Sequence, residues 1–380
     1  MNKTLRILGT RGVPAAHGGF ETFAEHLALY LVKRGWRVVV YCQEEGRGPT
    51  IEDSWEGVDR VRIPVPGDGP KATMLFDWKA TANAARHRDL CLTLGYNTAV
   101  FCARLRLQRI PNIINMDGIE WARGKWGRAA RTWFWLNDWA GCWLGDHLVA
   151  DHPEIKTHLS TRVHPSKITT IPYGANEITQ ADAGPLTSLG LEPGRFLTLI
   201  ARAEPENSIR EVVSGFSRRS RGVTLAVLGK YEASNPYHRA VKSAAGAEVR
   251  FLGPIYDGPS VSALRAHSLA YVHGHRVGGT NPSLVEALGA GNAVIAHDNR
   301  FNRWVVGDGA RFFKDASAFD DVLSSVLAAP ACLLAMREAS RRRFDEAFQW
   351  SGILGQYEAL LEQYLPRSRA ARRTPHTARA

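Results

Sequence analysis

The sequence is poor in the features that mark several specialised classes of protein. Its 380 residues contain only five cysteines, without a CxxC spacing, which argues for a reducing cytoplasm and against a disulfide framework or structural zinc. No apolar run approaches the length that crosses a bilayer, and the one before Arg11 is too short for a signal peptide core. A GxGxxG fingerprint and a DxD motif are also missing. We therefore expect a globular cytoplasmic protein.

Positive charge is in excess, but unevenly distributed. The formal net charge is +11, and residues 366–380 carry five arginines and no acid, so the remainder stands at 11 − 5 = +6. This tail is predicted to be disordered, either as a solvated terminus or in contact with anionic lipid. The charge raises nucleic-acid binding as a non-enzymatic alternative. Since no nucleic-acid recognition motif is present, we predict no nucleic-acid partner.

Short apolar segments alternate with amphipathic ones along the chain. LRILGT, WRVVVYCQ, DLCLTLGYN, PNIINMDG, HLVADH and ITTIPYG resemble strands, and the pattern pauses around residues 175 to 195. It resumes with RFLTLIARA, VTLAVLGK, VRFLGP, LAYVHG and NAVIAH, and ends in one long helical stretch from about Leu334 to Leu365. Strands alternating with helices predict parallel sheets covered on both faces. The fold class is therefore α/β, with two doubly wound domains.

The loop GTRGVPAAHGGFE follows the first predicted strand and precedes a helix that begins near Phe20. Ligands of open parallel sheets bind beyond the carboxyl ends of the strands, where loops lead into helix N-termini. Backbone N–H groups and the helix dipole attract anions there. We expect Gly18 and Gly19 to contact a phosphate or a sugar, with a purely structural turn as the alternative.

A second loop, HGHRVGGTNPSLVEALGAG at residues 273–291, carries a stronger signal. Asn281 is a good N-cap, and Pro282 suits the first helical position. The preceding Gly278, Gly279 and Thr280 form a predicted anion cradle. Glu286, one turn into the helix, could accept hydrogen bonds from vicinal hydroxyls such as those of a ribose. The alternative is a capped packing helix whose glutamate faces water.

Several segments together resemble the retaining glycosyltransferases of family 4, in particular the rhamnosyltransferase-like subgroup of bacterial surface-polysaccharide assembly. They are GTRGVPAAHGGFETFAEHLA, NMDGIEWARGKW, HLVADHPEI, IPYGAN, ARAEPENS, VGGTNPSLVEALGAG and WSGILGQYEALL. The resemblance implies the GT-B architecture, in which two Rossmann-like domains face each other across a cleft. Residues 1–178 would bind the acceptor and 179–345 the nucleotide sugar. Residues 346–365 would be a helix returning to the first domain, followed by the basic tail 366–380.

The resemblance also assigns residues to the donor, a dTDP- or UDP-sugar. Arg202 matches the arginine that meets the diphosphate, and Glu286 matches the second glutamate of the family's E-x7-E pair. Gly278 replaces the first glutamate, and Asn207 replaces a lysine, so phosphate charge would be met by Arg202, the helix N-terminus at Asn281 and Lys230. The predicted donor-binding set is Gly18, Gly19, Arg202, Lys230, Gly278, Gly279, Thr280, Asn281, Ser283 and Glu286.

Acceptor residues are predicted in the first domain. Asp117, in NMDGIEW, matches the position where related enzymes place a histidine or an acid near the attacking hydroxyl, and Glu120 and His17 are further candidates. Asp117 could instead cap a turn before Gly118. The predicted catalytic set is Asp117, Arg202 and Glu286, without an obligatory metal and without a cofactor. The acceptor would be a saccharide or a polyprenyl-linked glycan. A GT-B-fold epimerase or phosphorylase is the enzymatic alternative.

Tryptophan is concentrated in one segment, because six of the 11 tryptophans lie between residues 121 and 143. Arg123, Lys125, Arg128 and Arg131 are interleaved with them. Aromatic and basic side chains together are typical of a segment at a membrane interface, which would place the protein peripherally at the inner face of the plasma membrane. The alternative is a core helix. We expect a buried C-terminal half, with Trp121, Trp126 and the basic residues nearer the surface.

Overall fold

A computed structural model describes residues 3–16 and 18–366 of the chain. These residues form two compact units. The first contains residues up to Asp117, Arg128–Ile171 and the described residues from Leu354 onwards. The second contains Gly118–Gly127 and Pro172–Ile353. His17, a predicted acceptor residue, and the tail from residue 367 lie outside the described residues.

The first unit is built on an eight-stranded sheet in the order β3-β4-β2-β1-β5-β6-β7-β8, parallel except for the pairing of β3 with β4. Residues of β1 and β5 are buried throughout, as expected of strands covered on both faces. The strands are β1 Thr4–Leu8, β2 Arg37–Glu45, β3 Ile51–Trp55, β4 Val58–Val65, β5 Leu90–Leu94, β6 Asn112–Asn115, β7 His147–Ala150 and β8 Ile168–Thr170.

Five helices lie between these strands in sequence. They are α1 Gly19–Lys33, α2 Pro70–Ala84, α3 Ala103–Leu107, α4 Arg128–Leu144 and α5 Pro153–Leu159. Helix α1 buries Phe23, Ala24, Leu27 and Leu31, which recur at the spacing of one helix face.

The second unit is built on a six-stranded parallel sheet in the order β11-β10-β9-β12-β13-β14. Its strands are β9 Phe196–Ile200, β10 Thr224–Leu228, β11 Val249–Gly253, β12 Ala270–His273, β13 Val294–His297 and β14 Arg311–Phe313. Its helices are α6 Gly184–Ser188, α7 Ile209–Phe216, α8 Pro236–Ser243, α9 Gly258–Ala266, α10 Pro282–Gly289, α11 Arg300–Val306, α12 Ala316–Leu327 and α13 Pro330–Ala347. The prediction of two parallel-sheet α/β domains is confirmed.

A final helix, α14 Trp350–Gln363, returns the chain to the first unit. The buried Tyr357 packs on Phe23 at 4.6 Å between ring centroids, and its hydroxyl accepts a hydrogen bond from Asn115 at 2.9 Å. Glu358 accepts a hydrogen bond from Trp36 at 3.1 Å. These contacts confirm the predicted return of the C-terminal helix.

The predicted single helical stretch from Leu334 to Leu365 is wrong, because α13 and α14 are separate helices. The chain turns between them at Phe348 and Gln349. There the carbonyl of Phe348 accepts a hydrogen bond from the N–H of Ala175 at 2.9 Å, and the ring of Phe348 is buried. Pairing with a distant segment therefore interrupts the helix.

The prediction that the C-terminal half of the tryptophan-rich segment is buried is also wrong, whereas Arg128 and Arg131 are exposed as predicted. Residues 118–127, which include Trp121 and Trp126, belong to the second unit and both rings are partly buried. Helix α4 belongs to the first unit, and its Trp135 and Trp143 side chains are exposed. The buried face of α4 consists of Asn137, Asp138, Gly141 and Cys142.

No single helix in the described part of the chain has the length and apolar character of a membrane span. One pair of consecutive helices, α12 and α13, passes that test together but is bent by 102° at its break.

Candidate functional site

The most developed candidate site lies at the strand-order reversal of the second unit. From β9 the chain proceeds through β10 to β11 on one side, and β12 to β14 lie on the other. Strands β9 and β12 are adjacent and parallel, so the loops that follow them leave the same edge of the sheet. This is the position at which open α/β sheets bind ligands.

The loop after β12 forms the capped helix start that the sequence predicts. Asn281 is the N-cap of α10, its side chain accepts the N–H of Ser283 at 3.1 Å, and Pro282 is the first helical residue. Gly278 has φ of 140°, a conformation that side chains rarely adopt. A glutamate at this position would therefore be strained.

Arg202 is carried by the loop after β9 and is exposed to solvent. Its carbonyl accepts hydrogen bonds from the side-chain amide of Asn207 at 2.8 Å and from the N–H of Glu204 at 2.7 Å. Asn207 is itself buried, and its side chain holds the turn that presents Arg202. Among the described residues, none forms an ion pair or a side-chain hydrogen bond with the Arg202 guanidinium.

Two histidines that sequence reasoning missed lie beside this loop. The rings of His273 and His275 stack at 4.3 Å with an interplanar angle of 10°. Within the described part of the chain, both ring nitrogens of His273 lack a hydrogen-bond partner, and so does Nδ1 of His275. Burial, with the charges of Arg123 and Arg202, lowers the pKa of His275 to about 3. Burial also lowers the pKa of His273 well below its usual range. Both rings are therefore neutral near pH 7.

Residues 118–127 contribute a third segment to this edge of the second unit. Gly118 lies against the cradle, where a Cβ on it would be 3.7 Å from Gly278 Cα and from Gly279 N. Arg123 pairs with Glu120 at 2.8 Å and with Glu206 at 3.4 Å. The carbonyl of Glu206 accepts the N–H of Arg276 at 2.9 Å. The segment is thus tied to both of the other loops.

The side chains of α10 are less open than the sequence suggests. The Ser283 hydroxyl, predicted to bind the donor, lies 2.6 Å from the hydroxyl of Tyr271 and 3.3 Å from Arg265. Glu286 forms an ion pair with Arg265 at 2.5 Å, and its side chain remains 38% exposed. Thr280 is buried. Glu286 is therefore an accessible carboxylate of fixed orientation, whereas Ser283 supports the helix from inside.

Lys230 lies in the loop after β10, at the same edge of the sheet. Its ammonium group is highly exposed and pairs with Glu232 at 2.8 Å. This pairing raises the pKa of Lys230, first through the hydrogen bond and then through the charge of Glu232. A contact with donor phosphate would have to compete with Glu232, so the predicted role of Lys230 stays a prediction.

The opening loop of the first unit is held largely by its own helix. The carboxylates of Glu21 and Glu25 in α1 accept the N–H groups of Arg11 at 3.0 Å and Ala15 at 2.6 Å. Gly18 is the N-cap of α1, in extended conformation, and Gly19 is its first residue. Two carboxylates near this helix start favour the structural-turn interpretation for the first part of the loop.

Asp117 follows β6 and adopts a left-handed conformation with φ of 52°, which aspartate tolerates better than most residues. Its N–H donates to the side-chain oxygen of Asn115 at 3.0 Å, and the Asn115 amide donates to Tyr357. A buried chain of hydrogen bonds therefore fixes the Asp117 backbone. Glu120, the other candidate acid, accepts a hydrogen bond from Trp126 at 2.8 Å and pairs with Arg123 and Lys125.

In the described part of the chain, no group of three or more histidine, cysteine, aspartate or glutamate side chains is arranged to hold a metal ion. The predicted independence from metal stays a prediction.

Comparison with protein families matches residues 2–176 to a family model described as a domain of unknown function, DUF1972. This is the part of the chain that carries the opening loop and Asp117. No curated protein matches the chain.

Two Rossmann-like sheets with a returning C-terminal helix define the GT-B fold, and solved structures support this class. Sucrose-phosphate synthase from Thermosynechococcus elongatus matches with a TM-score of 0.80 at 19% identity, over 95% of this chain and 99% of that chain. HepE from Anabaena, in complex with UDP and glucose, matches with a TM-score of 0.74 at 13% identity, over 95% and 100%. A UDP-forming trehalose-phosphate synthase from Burkholderia xenovorans matches with a TM-score of 0.73 at 13% identity, over 96% and 99%. At these identities the likeness establishes the fold.

Proposed function

We propose that the protein is a glycosyltransferase that moves a hexose from a nucleotide diphosphate sugar to an acceptor hydroxyl. The observation that carries the proposal is the Arg202 guanidinium, which has no ionic partner among the described residues and extends from the strand-order reversal of the second unit. The capped N-terminus of α10 leaves the same edge of the sheet. An unpaired cation and a helix N-terminus are what a diphosphate requires.

Each part of the site has a role in this proposal. Arg202 and the N-terminus of α10 hold the diphosphate, and Glu286 accepts hydrogen bonds from ribose hydroxyls. As the bond between the sugar anomeric carbon and the β-phosphate oxygen breaks, negative charge develops on the leaving diphosphate. Donors fixed in advance stabilise that charge as it forms. Asn207 fixes the backbone from which Arg202 extends, and Arg265 orients Glu286.

The proposal extends to the donor and to the stereochemical course. We favour a deoxythymidine diphosphate hexose as the donor, with rhamnose as the first choice of sugar and UDP-sugars as the next donors. The sugar would be transferred with retention of configuration and without an obligatory metal. The acceptor would be a saccharide or a polyprenyl-linked glycan of polysaccharide synthesis. The support is the resemblance of ARAEPENS and GGTNPSLVE to the family 4 subgroup. The solved structures named above include proteins bound to or forming UDP. Asp117 would orient or deprotonate the acceptor hydroxyl.

Binding measurements test the donor site. The ligands are UDP, dTDP and the two corresponding nucleosides, and the proteins are wild type, Arg202→Ala and Arg342→Ala. Arg342 is an exposed arginine of α13 in the same unit and serves as the matched control. Loss of a charge-assisted hydrogen bond, about 1.5–3 kcal/mol, should weaken diphosphate binding roughly 10- to 100-fold in Arg202→Ala and leave nucleoside binding unchanged. Equal affinity of all three proteins for the diphosphates would remove Arg202 from the site.

A screen of sugar nucleotides for turnover, with NMR analysis of the linkage formed, tests the reaction. We expect release of the nucleoside diphosphate together with a new α- or β-linkage that keeps the donor's anomeric configuration. An inverted product would reject the family 4 assignment. Epimerised sugar nucleotide without a new linkage would favour the epimerase alternative.

A further inference from the structure

Helix α4 of the first unit buries polar side chains and exposes apolar ones, which is the reverse of an ordinary amphipathic helix. Its buried face contains Asn137 and Asp138, whereas the side chains of Trp135, Leu136 and Trp143 are 43%, 52% and 61% exposed. An ordinary surface helix directs its apolar stripe towards the core. The exposed apolar face of α4 is therefore expected to contact something other than water.

The inversion has a structural cause. Asp138 is buried in an ion pair with Arg162 and lies 3.1 Å from the ring of His158. The side-chain oxygen of Asn137 accepts the N–H of Val100 at 3.0 Å. These polar contacts fix the inward face of α4, because breaking them would leave buried polar groups unpaired. The tryptophans consequently stay outside.

The exposed apolar surface continues onto neighbouring elements of the same unit. Thr98 donates to Asp77 of α2 at 2.8 Å, and the ring of Trp78 meets that of Phe101 edge-on at 5.5 Å. We name this surface the aromatic face, and it consists of the exposed Leu75, Trp78, Val100, Trp135, Leu136 and Trp143. Contiguous exposed apolar surface of this kind marks an interaction site.

Positive charge borders the aromatic face. The exposed cations of α2, α3 and α4 include Lys71, Lys79, Arg104, Arg128 and Arg131. The same three helices contain only two acids, Asp77 and Asp138. Asp138 is buried in its ion pair, and burial raises the pKa of Asp77 to about 6. The surface that these three helices expose around the tryptophans is therefore apolar and cationic.

We propose that the aromatic face binds the surface of an anionic lipid bilayer. Tryptophan rings are amphipathic and favour the headgroup region, and surrounding lysines and arginines are attracted to anionic lipid. A second copy of this chain would also cover the rings, but a symmetric contact would bring two sets of cations together. Charge complementarity thus favours the bilayer. The proposal is independent of the transfer reaction and concerns where the enzyme works.

Flotation of the full-length protein with vesicles tests the proposal. The vesicles contain phosphatidylcholine alone or mixed with phosphatidylglycerol, at low and at high salt. We expect binding to the anionic vesicles, weakened by salt, and at least a tenfold lower partition coefficient for the double variant Trp135→Ser with Trp143→Ser. The matched control is Tyr256→Ser with Leu334→Ser, which removes two exposed apolar side chains of the second unit and should leave binding unchanged.

A second variant keeps the tryptophans, in case their removal disturbs folding. Lys71→Glu with Arg128→Glu changes only exposed charges and should abolish binding at low salt. A third full-length variant replaces the five tail arginines by glutamine and should still bind. Unchanged binding of the tryptophan and charge variants, or loss of binding only in the tail variant, would overturn the proposal. Self-association that the tryptophan variant removes, without vesicle binding, would make the face an interface between copies.

Discussion

The carboxylate of Glu286 lies 2.5 Å from the guanidinium of Arg265, which joins α9 to α10 in the second unit. The Arg265 side chain is only 4% exposed, so the pair has one buried and one accessible end. Arg265 also donates to the carbonyl of Ser283 at 3.1 Å. One oxygen of Glu286 is therefore held from inside while the carboxylate stays available to a ligand.

Arg265→Met should destabilise the second unit and weaken donor binding together. Methionine retains an apolar stem but leaves Glu286 and Ser283 without their buried partner, at a cost of about 1–3 kcal/mol in the free energy of unfolding. Denaturant unfolding and nucleotide binding measure the two effects. Glu286→Gln is the comparison, since it keeps an oxygen that can accept from Arg265 and should still weaken nucleoside binding. Normal nucleoside affinity in both variants would remove Glu286 from the ribose position.

The sequence predicts those parts of this site that depend on neighbouring residues. The cap by Asn281 and Pro282 is confirmed because capping involves only adjacent positions. The partner of Glu286 could not be predicted, since Arg265 is distant in sequence and is brought close by the packing of α9 on the sheet. The pairing of Arg123 with Glu206 has the same explanation.

The tryptophan-rich segment shows a second limit of sequence reasoning. Helical spacing places Trp135, Trp139 and Trp143 on one face but does not say which way that face points. The direction is decided by the partners of Asp138, namely Arg162 and His158, which lie on a later segment. The strand pattern, in contrast, depends on local apolar runs, so the parallel sheets were predictable. The antiparallel β3, being largely exposed, was not.

Gly9 in the opening loop offers a test of backbone geometry. Its φ is 77°, and a Cβ there would lie 2.1 Å from the carbonyl oxygen of Leu94 in β5. Gly67 has nearly the same φ, 78°, with no atom within 4 Å of such a Cβ. Gly67→Ala should therefore show only the backbone strain of about 1–2 kcal/mol. Gly9→Ala should lose more, because β1 and β5 must also separate.

Denaturant unfolding of both glycine variants provides the comparison. A free energy of unfolding that falls equally in the two would mean that Leu94 moves aside at no cost. The contact of the loop with β5 would then play no part in its conformation.

His275 should make stability fall as the solution becomes acidic. Its pKa in the folded state is about 3, and an unfolded histidine has a pKa near 6.5. Above pH 6.5 both states are neutral and the effect vanishes. Below it the unfolded state binds a proton that the folded state does not, so the free energy of unfolding drops by about 1.4 kcal/mol per pH unit until the pH nears 3.

His275→Phe retains a ring that can stack on His273 but removes this proton. The variant should lose less stability than wild type between pH 6.5 and pH 5, as measured by urea unfolding across that interval. His273, whose pKa is also lowered, will continue to contribute in both proteins. Parallel pH profiles would show that the His275 ring takes up its proton without unfolding.

Asp117 and Glu120 are the acids predicted near the acceptor, and their environments separate them. Glu120 already contacts Trp126, Arg123 and Lys125, so it stabilises its own segment. The Asp117 backbone is held through Asn115 and Tyr357. The sequence resemblance assigns the acceptor role to Asp117 first, and we expect Asp117 to be the residue that acts on the acceptor hydroxyl.

Asp117→Asn should keep the left-handed conformation, which asparagine tolerates as well as aspartate does, and remove the base. Turnover should fall by roughly 10²- to 10⁴-fold, the usual worth of a general base, with unchanged affinity for nucleoside diphosphate and an unchanged unfolding midpoint. Asp117→Gly is the conformational control, because it retains the backbone and should be equally inactive. Full activity of Asp117→Asn would transfer the role to another group. Weakened diphosphate binding in Asp117→Asn would instead make Asp117 part of the donor site.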